Sequence, residues 1–201
     1  TVALGSGGEF KVRLRDDGPI TYCVAGKVLE SVVGPEGKPL SASVSNTGTI
    51  TNPGGTVALT GDAARGVVTS VVNQEGVIEA KSFRIQGGKV ILAGRDEGIV
   101  RNKGLIDVSA AEAGATPGEV SLTGEKVGNF GALAARGAEG AAGGAVSLTS
   151  ATQTLVSSDA SIDVSGGADS DGGSIAILSD SNATVAGTLT ARGGARGGDG
   201  G

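Results

Sequence analysis

Residues 100–107 read VRNKGLID and residues 118–122 read GEVSL, and this pair of phrases returns along most of the chain. In the first phrase a branched aliphatic follows a small residue by two places. The arrangement recurs at Ile50, Ile78, Ile106, Leu133, Ile162 and Leu189, with steps of 28, 28, 27, 29 and 27 between successive numbers. The small residue is Gly48, Gly76, Gly104, Gly131, Ala160 or Gly187. Ahead of it stands a Val-x-Asn pair: Val44 with Asn46, Val71 with Asn73, Val100 with Asn102, Val127 with Asn129, and Val156 with Ser158 in the fifth copy. The second phrase, Gly-Gly-x-Val-x-Leu, sets Val57, Val90, Val120, Val146 and Ile175 two residues before Leu59, Leu92, Leu122, Leu148 and Ile177.

Alternation with a period of two marks short strands whose alternate side chains face one way. Strands that return about every 28 residues, separated by loops of varying length, describe a solenoid. One coil cannot bury its own aliphatics. Stacking the next coil at ~4.8 Å dries them and pairs the backbone above and below. The expected fold is therefore all-β, a right-handed parallel β-helix of about six coils of ~28 residues, with Ile50, Ile78, Ile106, Leu133, Ile162, Leu189, Val57, Val90, Val120, Val146 and Ile175 as its core ladder. Glycine and asparagine mark the corners, since both tolerate a left-handed backbone. Two roles fit the column Asn46, Asn73, Asn102 and Asn129: an internal amide ladder from coil to coil, which is the preferred reading, or αL tolerance at a corner.

The N-terminal part departs from the repeat. Phe10, Val12 and Leu14 alternate, as do Ile20, Tyr22 and Val24, and Asp17–Gly18 joins the two runs as a hairpin. Residues 25–43, with Gly34-Pro35 and Lys38-Pro39, read as an extended insertion or flap, and Phe10 and Tyr22 are expected to plug the gap between flap and core. The chain divides into residues 1–43, a coil carrying hairpin and insertion, and 44–201, the regular coils. Val2-Ala3-Leu4-Gly5 matches the later V-x-L strands, and Gly197–Gly198 and Gly200–Gly201 resemble the lead-in to another, so the solenoid is expected to continue past both ends in a longer precursor.

Composition removes several function classes. Of 201 residues 38 are glycine and only 2% are aromatic, so the core must be made of small aliphatics. The net charge of −5 argues against a nucleic-acid partner, including for the terminal ARGGARGG. A lone Cys23 gives no disulfide framework, and the absence of His removes the commonest general base and metal ligand. No stretch approaches the ~20 apolar residues of a membrane helix, so no membrane insertion is expected.

Three stretches, LGSGGEFKVRLRDDGPITYCV (4–24), VSNTGTITNPGGTVALTGDAARGVVTSVVNQEGVIEA (44–80) and the recurring NKGLIDVSA…GGAVSLT, resemble the filamentous haemagglutinin family of large exoproteins, in the part that follows the secretion domain. The resemblance covers nearly the whole chain; it is specific over residues 1–80 and generic in the later Gly-rich copies. It implies a two-partner secretion passenger that crosses the outer membrane unfolded through a β-barrel partner, folds outside at the bacterial cell surface, and serves attachment or biofilm matrix, often by contacting carbohydrate, exopolysaccharide or a host surface. The family's Asn-Pro secretion motifs are missing here, because Asn52-Pro53 is a loop pair. A near-absence of cysteine suits an extended chain threaded through a barrel.

Two rivals remain: a secreted polysaccharide-active enzyme on the same fold, and a structural sheath or surface polymer. An enzyme needs paired carboxylates, or acid with base, gathered on one face. The charged residues Asp62, Arg65, Arg95, Asp96, Glu97, Glu112, Glu125 and Lys126 fall mostly in loops and out of register with the strands, which reads as a solvated rim. Asp169 and Asp171 lack the nine-residue G-G-x-G-x-D repeat of calcium-binding β-rolls. No catalytic residue, cofactor or metal site is expected.

Overall fold

The computed structural model describes residues 1–13, 21–83, 87–95 and 97–201. Among them every regular element is a strand, and no helix is long and apolar enough to cross a membrane. The strands stack in parallel on three faces of a solenoid of about five turns. The first face runs through Val2–Ser6, Thr56–Gly61, Lys89–Ala93, the first part of Glu119–Asn129, the first part of Ala145–Val156, and Ser174–Ser179. The second runs through Ala42–Asn46, Ser70–Gln74, Ile99–Asn102, the remainders of the same two long strands, and Asn182–Val185. The third runs through Thr49–Thr51, Val77–Glu79, Leu105–Asp107, Ala132–Ala134, Ser161–Asp163 and Thr188–Thr190. Each face carries six rungs; on the second and third faces the five spacings are all close to 28 residues, whereas on the first face the hairpin and insertion stretch the opening step from Val2 to Val57. Parallel strands joined by such crossovers are right-handed almost without exception.

Register explains why the repeat keeps its length. Val57, Val90, Val120, Val146 and Ile175 lie in one row, and Leu59, Leu92, Leu122, Leu148 and Ile177 in the next. Ile50, Ile78, Ile106, Leu133, Ile162 and Leu189 form the row of the third face. A shift of one residue would turn every one of these side chains outward. The interior members are dry: Leu59, Ile78, Leu92, Ile106, Leu122, Leu148 and Ile162 are all 0% exposed. At the end rungs the column lacks a neighbour, so Ile50 and Ile175 are only partly buried and Leu189 is exposed.

The three corners differ. The turn from second to third face is short and nearly constant. The turn from third to first face carries the long loops, and these stack on one another through backbone bonds such as Val108 N to Ala134 O and Gly137 N to Ser165 O. Between first and second faces the turn shrinks along the chain, from residues 62–69 to the single irregular step between Gly124 and Lys126, where one strand bends through the corner unbroken.

Left-handed backbone is not what the corner glycines supply. Gly76, Gly104 and Gly131 do not have positive φ. A Cβ on each would instead sit 2.0, 2.0 and 2.1 Å from the carbonyl oxygen of the glycine one coil earlier. In a second glycine column Gly118, Gly144 and Gly173 are held by the same close approach, each to the carbonyl of the glycine one coil earlier, beginning from Gly88. Stacking clearance therefore selects these residues, and the left-handed positions are loop tips such as Gly66, Gly114 and Gly140.

In the N-terminal part, Glu9–Arg13 pairs antiparallel with Thr21–Gly26, matching Phe10 to Val24 and Val12 to Tyr22. The Asp17–Gly18 turn, with Leu14 and Ile20, falls outside the described residues, as does the Tyr22 side chain. Phe10 is not a plug, being 48% exposed; the neighbouring Val24 is buried instead. The insertion meets the coil where Val28 pairs with Ala63, then folds back on itself between Val33 and Pro39 through a turn at Gly37.

Candidate functional site

Two constellations stand out from the regular stack: a column of buried amides and a corner crowded with charge.

The amide column lies inside the corner between second and third faces. Asn46, Gln74, Asn102 and Asn129 share one register row. Asn46 Nδ2 donates to Gln74 Oε1 at 2.7 Å, and Asn102 Nδ2 donates to Asn129 Oδ1 at 2.8 Å. Three of the four also turn back on their own corner. Gln74 Nε2 reaches Gly76 O at 2.9 Å, and Asn102 and Asn129 reach Gly104 O and Gly131 O at 3.3 Å. The amides thus link coils in two pairs, and none of these asparagines has positive φ, so left-handed tolerance does not account for the column. Asn73 does not belong to the column. It pairs with Ser45 and Arg101 on the outward row, and Gln74 takes the place expected for it. Val72, not Val71, is the matching valine. In the fifth coil Thr154 occupies the valine row and Val156 the amide row, so the ladder ends at Asn129.

The charged corner gathers residues that look scattered in the sequence. Arg65 Nη2 lies 2.8 Å from Glu125 Oε1, Arg95 Nε 3.4 Å from Asp62 Oδ2, and Lys27 Nζ 3.1 Å from Glu97 Oε2. Asp62 and Glu125 are nearly buried while their arginines are open to solvent. The hydrogen bond and charge of Lys27 hold the Glu97 carboxyl below its usual range. Arg95 has a φ of 47°, strained for a side chain with a Cβ, and its Nη1 donates to Val24 O at 2.5 Å. The strain is held by that bond and by Asp62, so Arg95 docks the N-terminal hairpin onto the coils. Asp96 is outside the described residues, and Glu112 takes part in none of these pairs.

No known family model, characterised protein or solved structure matches this chain. What the corner can do must be taken from its own chemistry. Each of Asp62, Glu97 and Glu125 already has a cation of its own, drawn from a different coil or from the insertion. These are bonds between layers, arranged like Lys89 with Glu119, Lys103 with Glu75 and Lys81 with Asp107, which also cross from one coil to the next. Among the described residues no group of three or more Cys, Asp or Glu side chains is placed to share a metal ion.

Sequence reasoning missed Gln74, although a signal was there. Asn46, Asn102 and Asn129 each lie four residues before the third-face aliphatic, as Gln74 does before Ile78, whereas Asn73 lies five before it. It also missed how the corner charges meet, because those contacts depend on how far turns of unequal length reach.

Proposed function

We propose that this chain is a segment of a secreted adhesin or matrix filament of the filamentous-haemagglutinin type, in which the solenoid is a stiff stalk and its loops and outer faces are the display surface. The observation that carries the reading is the unbroken dry column from Val57 to Leu148 and from Ile78 to Ile162. Each rung there is held by both neighbours, so bending the rod exposes aliphatic surface at ~25 cal/mol per Å². The quasi-one-dimensional stack transmits load, and the third-face loops stand off it in ordered layers. A β-barrel partner in the outer membrane and an extracellular, cell-surface location follow from the resemblance to that family. The enzyme reading has less support, since among the described residues of the charged corner Asp62, Glu97 and Glu125 are each engaged in an ion pair between layers.

Glycan-array binding by the full-length secreted parent, run beside this chain alone, tests the assignment together with small-angle scattering of the parent. A rod profile, with glycan or cell attachment by the parent, is expected. Turnover of a polysaccharide by the chain, or a compact scattering profile of the parent, would overturn it.

A further inference from the structure

The outer surface of the second face carries a shallow groove of about 250 Å³ whose lining includes Ile99, Arg101, Lys126, Gly128, Phe130 and Gln153. Ile99, Lys126 and Gln153 form one register row across three rungs, and Arg101, Gly128 and Leu155 form the next. All of these point away from the core.

Three features of the groove have no role in holding the solenoid. Phe130 sits at a corner position where the other coils carry Thr47, Glu75, Lys103, Ser157 and Ala186, so the fold does not require an aromatic there. Its ring nevertheless lies over Gly128, where a Cβ would come 2.5 Å from Phe130 Cε2, and remains 37% exposed. Arg101 and Lys126 belong to none of the ion pairs among the described residues, in contrast to Lys27, Arg65, Lys81, Lys89, Arg95, Lys103, Arg136 and Arg196. Gln153 extends the Lys126 row by one rung with an exposed amide.

We propose that this groove binds an anionic sugar chain: the C–H face of one sugar packs on Phe130, an acidic group engages Arg101 and Lys126, and Gln153 hydrogen-bonds hydroxyls. The two cations stand one rung and two residues apart, about 8 Å between Cα atoms. Two free cations at that spacing suit the sparse charge of a sugar acid. A nucleic acid strand, whose affinity rests on several phosphate contacts, would find too few. An exposed aromatic beside polar side chains is a suitable platform for a ring that is apolar on one face and polar at its rim. The proposal rests on the display role given above and adds to it a place and a ligand class.

Isothermal titration of the intact chain with a short oligogalacturonate at low salt tests it. A sulfated dextran oligomer in parallel distinguishes a sulfate from a carboxylate source, and an unsubstituted dextran oligomer and a single-stranded oligonucleotide serve as comparisons. Binding of at least one of the two acidic sugars is expected, falling about tenfold or more in Arg101→Gln and in Lys126→Gln, since each removes a charge-assisted contact. A comparable drop is expected in Phe130→Ser, which installs the polar type of residue found at Ser157 one coil later. No binding of either acidic sugar, equal binding of the uncharged dextran, tighter binding of the oligonucleotide, or unchanged affinity in the two charge variants would each overturn the site. Scattering of the full-length parent separates the two proposals: a rod-like parent beside a chain that does not bind sinks the groove alone, and a compact parent sinks the stalk.

Discussion

Asn102 donates to Asn129 across the coil boundary at 2.8 Å, yet its own Oδ1 is buried with no partner among the described residues. The break lies one rung back. Gln74 accepts from Asn46, but its longer side chain carries Nε2 to Gly76 O in its own turn, so it does not donate to Asn102. Two linked pairs result where the register would allow four amides in a row. A buried acceptor left without a hydrogen bond costs about 1–3 kcal/mol.

Gln74→Asn therefore restores the residue type of the rest of the column and brings the amide into line. The expected outcome is a gain of about 1 kcal/mol in unfolding free energy, read as a higher urea midpoint with an unchanged slope. A loss of stability would mean that filling the space beside Asn46 matters more than closing the ladder.

Gly104 and Gly114 test how the two kinds of glycine differ. At Gly104 a Cβ would stand 2.0 Å from Gly76 O, and the neighbouring backbone is fixed by the stack. Gly104→Ala is expected to cost about 2–3 kcal/mol, the range of overpacking in a tight interior. Gly114 has a φ of 71° with nothing near its Cβ position, so Gly114→Ala is expected to cost only about 1 kcal/mol, as left-handed strain. Thermal unfolding of the two variants side by side checks the order, and the reverse order would place clearance below φ as the reason for glycine.

Much of this architecture was legible because the inward aliphatics obey a strict period. Ile50 through Leu189 give the coil length, and Val57 through Ile175 give the second row. What escaped were positions where one residue of slack exists. Val71-Val72-Asn73-Gln74 offers two valines and two amides in sequence, and only the four-residue distance to Ile78 selects Val72 and Gln74. Val156 looked like the valine of a Val-x-polar pair, but the turn after it holds two extra residues, which moves it into the amide row. The meeting of Arg65 with Glu125, 60 positions apart, depends on one long turn reaching over a short one. Periodicity cannot report that, because turn length varies without altering the pattern inside the strands. The Phe130 groove is likewise a property of neighbouring rungs, since Arg101 and Lys126 become neighbours only once the coils are stacked.

Ile106 is the centre of the third-face row, 0% exposed and paired in register with Ile78 and Leu133. Ile106→Val removes one methyl and is expected to cost about 1 kcal/mol. Ile106→Asp places a carboxylate in a site with no cation or donor to meet it, at a cost of several kcal/mol. Because coils hold each other only through nearest neighbours, the damage should stay local at first. Hydrogen exchange is expected to show lost protection in the strands at Val77–Glu79, Leu105–Asp107 and Ala132–Ala134, with Ser161–Asp163 less affected. Unchanged protection on both flanking rungs would contradict the inward placement of this row.

Asp107 and Lys81 tie two coils together at 3.1 Å and make stability depend on pH at both extremes. Burial alone would raise the Asp107 carboxyl, but the hydrogen bonds from Ser109 and Lys81 and the Lys81 charge outweigh it, leaving its pKa below 3.8. A carboxyl depressed in the folded state contributes fully above its unfolded pKa and loses that contribution as pH falls through the folded value. For Lys81 the hydrogen bond and charge of Asp107 raise the ammonium above 10.5, so its contribution is present below 10.5 and fades as pH rises further. Between those limits the pair should give a plateau, and below about pH 4 a decline. Since Lys81 is partly open to solvent, the contribution is under about 1 kcal/mol. Thermal unfolding of the parent chain and Asp107→Asn across pH 2–11 checks this. The two midpoints are expected to differ on the plateau and to converge as the acid limb is descended. A constant difference down to the lowest pH would show that the carboxylate charge does not contribute, and that Asp107 acts only through the neutral hydrogen bonds it makes with Ser109.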